Sequence, residues 1–340
     1  MKLRVDKKYM PIVATIAVAV LLYCMIGFIY PKFFSLRVFV NFFRDNAFLG
    51  VIAVGMTLVI ITGGIDLSVG SMIAFVGVFC AYLMEKTKLN PLLVFVLALS
   101  AGSLIGFLMG ALIHFFKAPP FIVTLAGMFF CRGVANMISL ESIPIYNPTF
   151  NAIMRFGIPL RHFIMVPTTV LIFLAVMLVF LYIAHFTRFG RDVYAIGGSP
   201  QSALLMGLRI GRTKLLVYTL SGFLSALGGI VYILNVPAGN SLAGVGTELD
   251  AIACVVIGGT LLTGGVGYLA GTFVGVLIQA IIKTFLTFSS LSSWWTEIAI
   301  GVLIMIFILL QRSFSQLSVL SRAHAQVKLR KPGGAETGGA

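Results

Sequence analysis

Apolar stretches of near membrane-spanning length follow one another through almost the whole chain, separated by short polar segments. A helix needs roughly 20 apolar residues to cross a bilayer, and several stretches reach that length. Inside lipid, backbone polar groups must find partners within the protein, which leaves helices and closed barrels as the spanning structures. The pattern predicts an all-α polytopic membrane protein with about ten transmembrane helices. The stretches lie at 11–30, 47–62, 68–84, 91–113, 118–139, 163–184, 215–234, 250–263, 267–285 and 294–310.

The polar remainder is too small to coat a water-soluble domain. Of the 340 residues, 59% are hydrophobic and only 10% are charged, whereas soluble chains carry about 25% charged residues. This composition excludes a soluble enzyme, a secreted disulfide scaffold and a disordered chain. The four cysteines lie inside apolar stretches without paired spacing, which is typical of small buried side chains.

The net charge of +14 comes from 24 basic and 10 acidic residues. The basic residues occur in short runs between apolar stretches, which indicates orientation by the positive-inside rule and not a nucleic-acid-binding face. With the N-terminus inside, the cytoplasmic side has a balance of +11 and the outer side +3. We therefore expect a cytoplasmic N-terminus at 1–9, a transmembrane domain at 10–311 with a cytoplasmic loop at 185–214, and a cytoplasmic tail at 312–340.

Glycine pairs interrupt two of the shortest apolar stretches. One stretch stops at Gly63-Gly64, and another contains Gly258-Gly259 and stops at Gly264-Gly265. Several spans are therefore expected to be short or broken. Short Gly-interrupted spans in both halves of a membrane chain point to an internal repeat with the substrate route at its interface. Before the first glycine pair, the segment at 33–44 mixes aromatic and basic residues, so we expect it to lie at the membrane surface as a separate amphipathic segment.

Two internal matches bear on that repeat, and they disagree. Residues 62–65 resemble 263–266, which would relate two spans in the same orientation. The glycine ladder at 102–110 resembles the ladder at 267–275, which relates two spans in opposite orientation. The second match fits an inverted repeat and is preferred, although small-residue ladders also arise from helix packing alone.

No constellation for catalysis occurs in the sequence. A phosphate-binding P-loop and a Gly-x-Ser-x-Gly elbow are both absent, and the four histidines lack metal-ligand spacing. We therefore predict no catalytic residues, no metal site and no cofactor.

Asp66 places a carboxylate between two apolar segments, in the stretch GGIDLSVG at 63–70. An ionisable group costs a few kcal/mol at the centre of a bilayer, so its presence suggests a function. Asp66 and Ser68 are therefore candidates for the substrate pathway. The alternative is that Asp66 caps the following helix, because Asp before Ser and an apolar run is a common helix start.

Other charged residues lie within or at the ends of predicted spans on the outer side. Asn235 and Asp250 could face a vestibule and are further candidates for the substrate pathway. Lys283 is expected to extend to the lipid headgroups, as lysines near the ends of spans commonly do.

The loop at 185–214 contains a candidate docking helix. A turn at Gly197-Gly198 is followed by Ser199 with proline after it, and Gly207 supplies a stop, which predicts a short helix. Such a helix could dock into another protein or lie on the membrane as a connector. The candidate contact residues are Ser199, Ala203, Leu204, Leu205, Met206 and Gly207.

Three stretches, taken in order, resemble a known family. They are GGIDLSVG at 63–70, AIGG at 195–198, and LDAIA at 249–253 followed by VIGGT at 256–260. Together they resemble the permease subunits of bacterial ribose-type ABC sugar importers. The resemblance extends from about residue 45 to residue 312. Within that family the chain is most similar to galactofuranose permeases, through the stretches at 45–50, 141–145 and 291–295.

The resemblance implies an ABC importer in the bacterial inner membrane. Its partners would be ATPase subunits that hydrolyse ATP, a periplasmic sugar-binding protein, and a second related permease that makes a heterodimer, all in contact with membrane lipid and none with nucleic acid. The helix at 199–206 would be the coupling helix seated in the ATPase, and the outer loops at 140–162 and 236–249 would receive the binding protein. The alternative is an ion-coupled secondary sugar carrier or a channel, for which Asp66 is the plausible titrating residue.

Overall fold

The computed structural model describes residues 10–161, 164–290, 294–295, 297–302 and 304–306. The segments expected at 1–9 and 312–340 lie outside them. The longer helices within the described residues are α1 (Met10–Ile29), α2 (Leu36–Ile61), α3 (Val69–Lys86), α4 (Pro91–Phe115), α5 (Pro120–Ile138), α7 (Thr168–Phe186), α10 (Ile210–Asn235) and α12 (Leu269–Phe288). The shorter helices are α6 (Pro148–Arg155), α8 (Arg188–Gly198), α9 (Pro200–Leu205) and α11 (Thr247–Ile257). The strands are β1 (Ile143–Pro144), β2 (Gly157–Arg161), β3 (Ile164–Pro167) and β4 (Ala238–Gly239).

The prediction of an all-α polytopic membrane protein is confirmed. Among the described residues, eight helices, namely α1 to α5, α7, α10 and α12, are long and apolar enough to cross a membrane. The apolar stretch at 250–263 is broken as expected, because α11 ends at Ile257 and a turn at Gly258-Gly259 follows. The last predicted span, 294–310, is described only in part, and its described residues are helical.

Two boundaries differ from the sequence-based expectation. The segment at 33–44 is not a separate interfacial segment, because α2 begins at Leu36 and continues unbroken for 26 residues. Ser35 begins this helix by accepting a hydrogen bond from the backbone N–H of Val38. The sixth span begins at Thr168, later than predicted, because the residues before it form the antiparallel β2–β3 hairpin.

The centre of the bundle is formed by α2 and α10. In α2, 83% of the most apolar window is buried, against 22% in α1 and 28% in α4 and α5. The peripheral helices therefore present long apolar faces outwards, as contact with lipid requires. Both central helices carry buried polar side chains, and this is where the candidate site lies.

Glycine ladders form two of the helix contacts. In α4, Gly102 and Gly106 lie so close to the α10 backbone at Gly222 that a β-carbon at either would overlap it. The second ladder, in α12, packs in the same way on α11 at Gly258. Each ladder thus serves close packing against a neighbouring helix. The internal repeat stays a prediction.

The two outer loops expected to receive a binding protein lie side by side. Strand β1 from the first loop pairs antiparallel with β4 from the second, with Ile143 opposite Gly239. The carboxylate of Glu85, at the end of α3, accepts hydrogen bonds from the backbone N–H groups of Tyr146 and Asn147 at 2.7 and 3.0 Å. These bonds fix the first loop to the top of the bundle.

Candidate functional site

Three glycine turns from distant parts of the sequence meet at one point. The first turn, Gly63-Gly64, follows α2. The second, Gly197-Gly198, ends α8, and the third, Gly264-Gly265, precedes α12. The N–H of Gly265 donates to the carbonyl oxygen of Ile61 at 2.9 Å. Gly197 approaches both groups so closely that a β-carbon there would lie 1.8 Å from the Ile61 oxygen. The end of the loop helix α8 therefore contacts the ends of two broken membrane segments directly.

The similar sequences at 62–65 and 263–266 form two of these three turns. A β-carbon at Gly264 would lie 2.9 Å from the backbone nitrogen of Gly63, so the two similar turns pack against each other. Gly63 and Gly264 both have positive φ, 79° and 85°, a conformation that glycine adopts without steric cost. The repeated Thr-Gly-Gly sequence thus reflects a shared turn at a mutual contact.

Asp66 lies just beyond the first of these turns and is fully buried. Its Oδ1 accepts hydrogen bonds from the backbone N–H of Ser68 at 3.0 Å and from the Ser68 hydroxyl at 2.6 Å. Its Oδ2 accepts one from the Ser221 hydroxyl of α10 at 2.7 Å. Among the described residues, no ion pair involves Asp66. Three donors without a cation therefore stabilise this buried group.

This geometry tests the hypothesis that Asp66 caps α3. The N-cap of α3 is Ser68, and no side chain caps that helix. Asp66 binds the N–H of the cap residue itself, one position before the helix, so the capping hypothesis is wrong in that form. Asp66 instead joins the turn to α10, and neither it nor Ser68 is open to a cavity in this conformation.

Two further side chains enclose the same turn. Thr124 of α5 donates to the carbonyl oxygen of Ile65 at 3.2 Å. The Tyr218 hydroxyl of α10 lies directly against Gly64, where a β-carbon would come within 2.3 Å of it. That hydroxyl is buried without a hydrogen-bond partner among the described atoms. The turn is therefore held from two helices.

Sequence analysis did not identify Ser221, Tyr218 or Thr124. Ser221 is a polar residue in an apolar span, which could have marked it as a candidate. Ser225 on the same helix has the same property, so the sequence does not distinguish the two. Only the helix packing brings Ser221 to Asp66.

Asp250 lies elsewhere, on α11. Its Oδ2 pairs with the ammonium group of Lys283 on α12 at 2.8 Å. Lys283 therefore has a carboxylate partner on the neighbouring helix, and its extension to the lipid headgroups stays a prediction. One turn further along, the Cys254 thiol donates to Oε1 of Gln279 at 2.6 Å. A polar strip thus joins α11 to α12.

The four candidate pathway residues do not form one site. Asn235 is the last residue of α10, about 21 Å along the helix axis from Ser221 at 1.5 Å per residue. Asp66 and Ser68 form one group with Ser221, and Asp250 forms another with Lys283. The structure thus contains two separate polar clusters on the central and neighbouring helices.

The predicted loop helix is present as α9. The Ser199 hydroxyl accepts a hydrogen bond from the Ser202 N–H at 3.2 Å, and Gly207 ends the helix with a φ of 78°. Ala203 is buried against the protein. The next three side chains are exposed, at 64% for Leu204, 89% for Leu205 and 66% for Met206.

The preceding helix α8 attaches this exposed helix to the bundle. The Tyr194 hydroxyl donates to the carbonyl oxygen of Gly267, at the start of α12, at 2.9 Å. Burial raises the pKa of Tyr194 to about 12. Helix α8 is therefore joined by Tyr194 to the segment that leads into α12.

Comparison with known families decides which class of membrane protein has this arrangement. The family described as branched-chain amino acid transport system / permease component matches residues 38–309. The chain belongs to this permease family. The match includes the three glycine turns, the buried carboxylate, the outer loops and α9.

Relatives of this permease have been named in several bacteria. It is 52% identical to the inner membrane ABC transporter permease protein YjfF of Escherichia coli (strain K12), over 92% of this chain and 94% of the relative. It is 37% identical to the fructose import permease protein FruG of Bifidobacterium longum, over 91% and 93%. The ribose import permease protein RbsC of Escherichia coli (strain K12) is also 37% identical, over 82% and 87%. No solved structure shows a significant match to the chain.

Proposed function

We propose that this permease is the membrane-spanning subunit of an ATP-dependent sugar importer. Ribose and fructose import permeases among its relatives support a sugar as cargo. The observation that carries the proposal is the contact of α8 with two broken membrane segments at Gly197. It provides a path from an exposed loop helix to the interior of the bundle.

Helix α9 is the proposed contact with the ATPase subunit. Three consecutive large apolar side chains, Leu204, Leu205 and Met206, are exposed on a loop that carries five basic residues. Burying such side chains in a partner is favourable by roughly 25 cal/mol per Å² of apolar area. Ser199, Ala203 and Gly207 shape the helix, and α8 carries its movement to the glycine turns. ATP hydrolysis takes place in the partner chain.

The paired outer loops are the proposed contact with a periplasmic sugar-binding protein. The β1–β4 pairing and the bonds from Glu85 make one connected surface of the loops at 140–162 and 236–249. Arg132 of α5 adds to this by donating to the carbonyl oxygens of Ser241 and Ala243. Docking of a loaded binding protein would favour an outward-open state, and ATP-driven movement of α9 would favour the inward-open state.

The proposed orientation follows from the charges. The basic loop at 185–214 and both termini lie in the cytoplasm of a bacterium, and the permease is a multi-pass protein of the inner membrane. A second, related permease completes the translocation unit as a heterodimer. Asn235, Asp250 and the Asp66–Ser68 group would line the sugar route in states in which the helices separate.

Galactofuranose is the proposed cargo. The stretches at 45–50, 141–145 and 291–295 carry the similarity to galactofuranose permeases. The stretch at 141–145 contains β1, so it contributes to the outer surface where the binding protein would deliver the cargo.

Uptake in proteoliposomes tests the proposal. The permease is reconstituted with its second permease and the ATPase, and the binding protein is added outside with radiolabelled galactofuranose, ribose or fructose. We expect uptake that requires ATP inside and binding protein outside, and that prefers galactofuranose. Preference for another sugar would reject only the cargo. Uptake by the permease alone under a proton gradient would reject the importer in favour of an ion-coupled carrier.

A further inference from the structure

A cavity of about 690 Å³ opens where α4 ends and α10 begins. The loop between α4 and α5 forms one wall, and the segment between α9 and α10 forms the other. The two walls are joined by the ring of His114, which packs directly on the backbone of Gly211, so that a β-carbon at 211 would overlap it. The volume is within the range of about 300–1,000 Å³ that is usual for small-molecule sites.

The charged groups of this cavity are all basic. Lys117, Arg209 and Lys214 line it together with His114, and none of the lining residues is acidic. Among the described residues, no ion pair involves these four side chains. The cavity therefore has an unneutralised positive potential, which favours an anionic ligand.

Large apolar side chains surround the same end of the bundle. Phe115 and Phe116 at the end of α4 are 69% and 77% exposed, and Phe121 and Ile122 in the first turn of α5 are more than half exposed. Such a group of side chains belongs in contact with lipid. The basic cavity therefore lies beside apolar side chains that are suited to contact with lipid acyl chains.

We propose that this cavity binds the phosphate group of an anionic phospholipid. Lys117 and Arg209 would contact the phosphate, Lys214 would neutralise it from the first turns of α10, and the acyl chains would run along Phe121. Basic pockets between transmembrane helices at the cytoplasmic surface have the chemistry that selects such headgroups. Leu204 of α9 also lines the cavity, so a bound lipid would stabilise the position of this helix.

Native mass spectrometry of the full chain in neutral detergent tests this assignment, with phosphatidylglycerol as the probe and phosphatidylcholine as the uncharged reference. The informative variant is Lys117→Gln with Arg209→Gln, because both side chains are exposed and their replacement leaves the packing intact. The matched control is Arg188→Gln with Arg191→Gln, which removes the same charge from exposed positions of the same loop region. Lys214→Gln is measured separately.

We expect the Lys117/Arg209 variant to bind phosphatidylglycerol roughly thirtyfold more weakly, and the control to bind as the unmodified chain does. Equal losses in the two variants, or no loss in either, would overturn the proposal. Inorganic phosphate should not displace the lipid, and displacement by phosphate alone would indicate a free-anion site instead. Release of the lipid on adding the ATPase subunit would assign the cavity to the protein interface and also overturn it.

Discussion

The Ser221 hydroxyl donates a 2.7 Å hydrogen bond to the Asp66 carboxylate across 155 positions of sequence. The bond fixes the turn between α2 and α3 to the central helix α10. Because both groups are fully buried or nearly so, neither can exchange this partner for bulk water. The hydrogen bond makes the Asp66 part of this turn belong to the packed interior.

Replacement of Ser221 by alanine should destabilise the permease by about 2 kcal/mol, because the buried carboxyl group of Asp66 loses one of its three hydrogen-bond donors. The measurement is the unfolding midpoint in detergent. Thr219→Ala is the matched control, since the Thr219 hydroxyl bonds only the Leu215 carbonyl of its own helix. Equal effects of the two substitutions would contradict a special role for Ser221.

Gly197→Ala should be severely disruptive, whereas Gly198→Ala should be tolerated. The new methyl group at 197 meets the Ile61 oxygen and the Gly265 nitrogen, both of which are backbone atoms, while that at 198 meets nothing within 4 Å. Overpacking against backbone should cost about 3 kcal/mol or more. The two variants are compared by their yield of folded protein and by ATP-driven uptake. Equal yield and uptake in Gly197→Ala and Gly198→Ala would contradict a close contact of the three glycine turns.

Leu205→Glu should weaken co-purification of the ATPase and ATP-driven uptake without lowering the melting temperature of the permease. The side chain is 89% exposed, so a charge there disturbs a partner surface and not the protein interior. Gln201→Glu adds the same charge to an exposed position of the same helix and serves as the control. Undiminished ATPase association in Leu205→Glu would reject α9 as the docking helix.

Asp250 and Lys283 should be energetically coupled by about 1 kcal/mol, the scale expected for a partly exposed ion pair. The measurement is a double-mutant cycle with Asp250→Asn and Lys283→Gln, monitored by unfolding in detergent. The double variant should be less destabilised than the sum of the single variants. Strict additivity would show that the 2.8 Å contact contributes no net interaction.

Stability at alkaline pH should depend on Tyr194. Burial raises the pKa of this phenol to about 12, against about 10 for an exposed tyrosine. Since the folded pKa is above the unfolded one, the stabilisation is complete below pH 10 and is lost as the pH rises towards about 12. Tyr194→Phe should therefore flatten the pH dependence of the unfolding midpoint in this window, and an unaltered pH dependence in the variant would contradict the prediction.

The helical membrane fold and most spans could be predicted from the chain itself. Apolar length alone placed α3, α4, α5 and α12 within a few residues, because a span must match the thickness of the bilayer. The same reasoning failed at α2, because the mixture of aromatic and basic residues at 33–44 predicts a separate segment at the membrane surface, whereas the helix runs through it. Charged side chains in the N-terminal part of a long helix can extend to the headgroup region, so the helix tolerates them.

The loop helix α9 could also be predicted from the sequence, because the residues that begin and end it are close together in the chain. Ser199 caps it, Pro200 fixes its first turn and Gly207 ends it. These signals act over a few residues and need no tertiary contact. The contacts that attach this helix to the bundle could not be predicted, because Tyr194 and Gly197 contact residues that are distant in sequence.

The sequence by itself determined the class of protein, most of its spans and the positions of its glycine turns, because hydrophobic length and glycine act locally. Only the tertiary structure decided how Asp66 is satisfied, that Lys283 pairs with Asp250, and that three glycine turns form one junction. These relationships depend on which helix faces which, and that choice follows from side-chain packing between distant segments, not from the composition of any one of them.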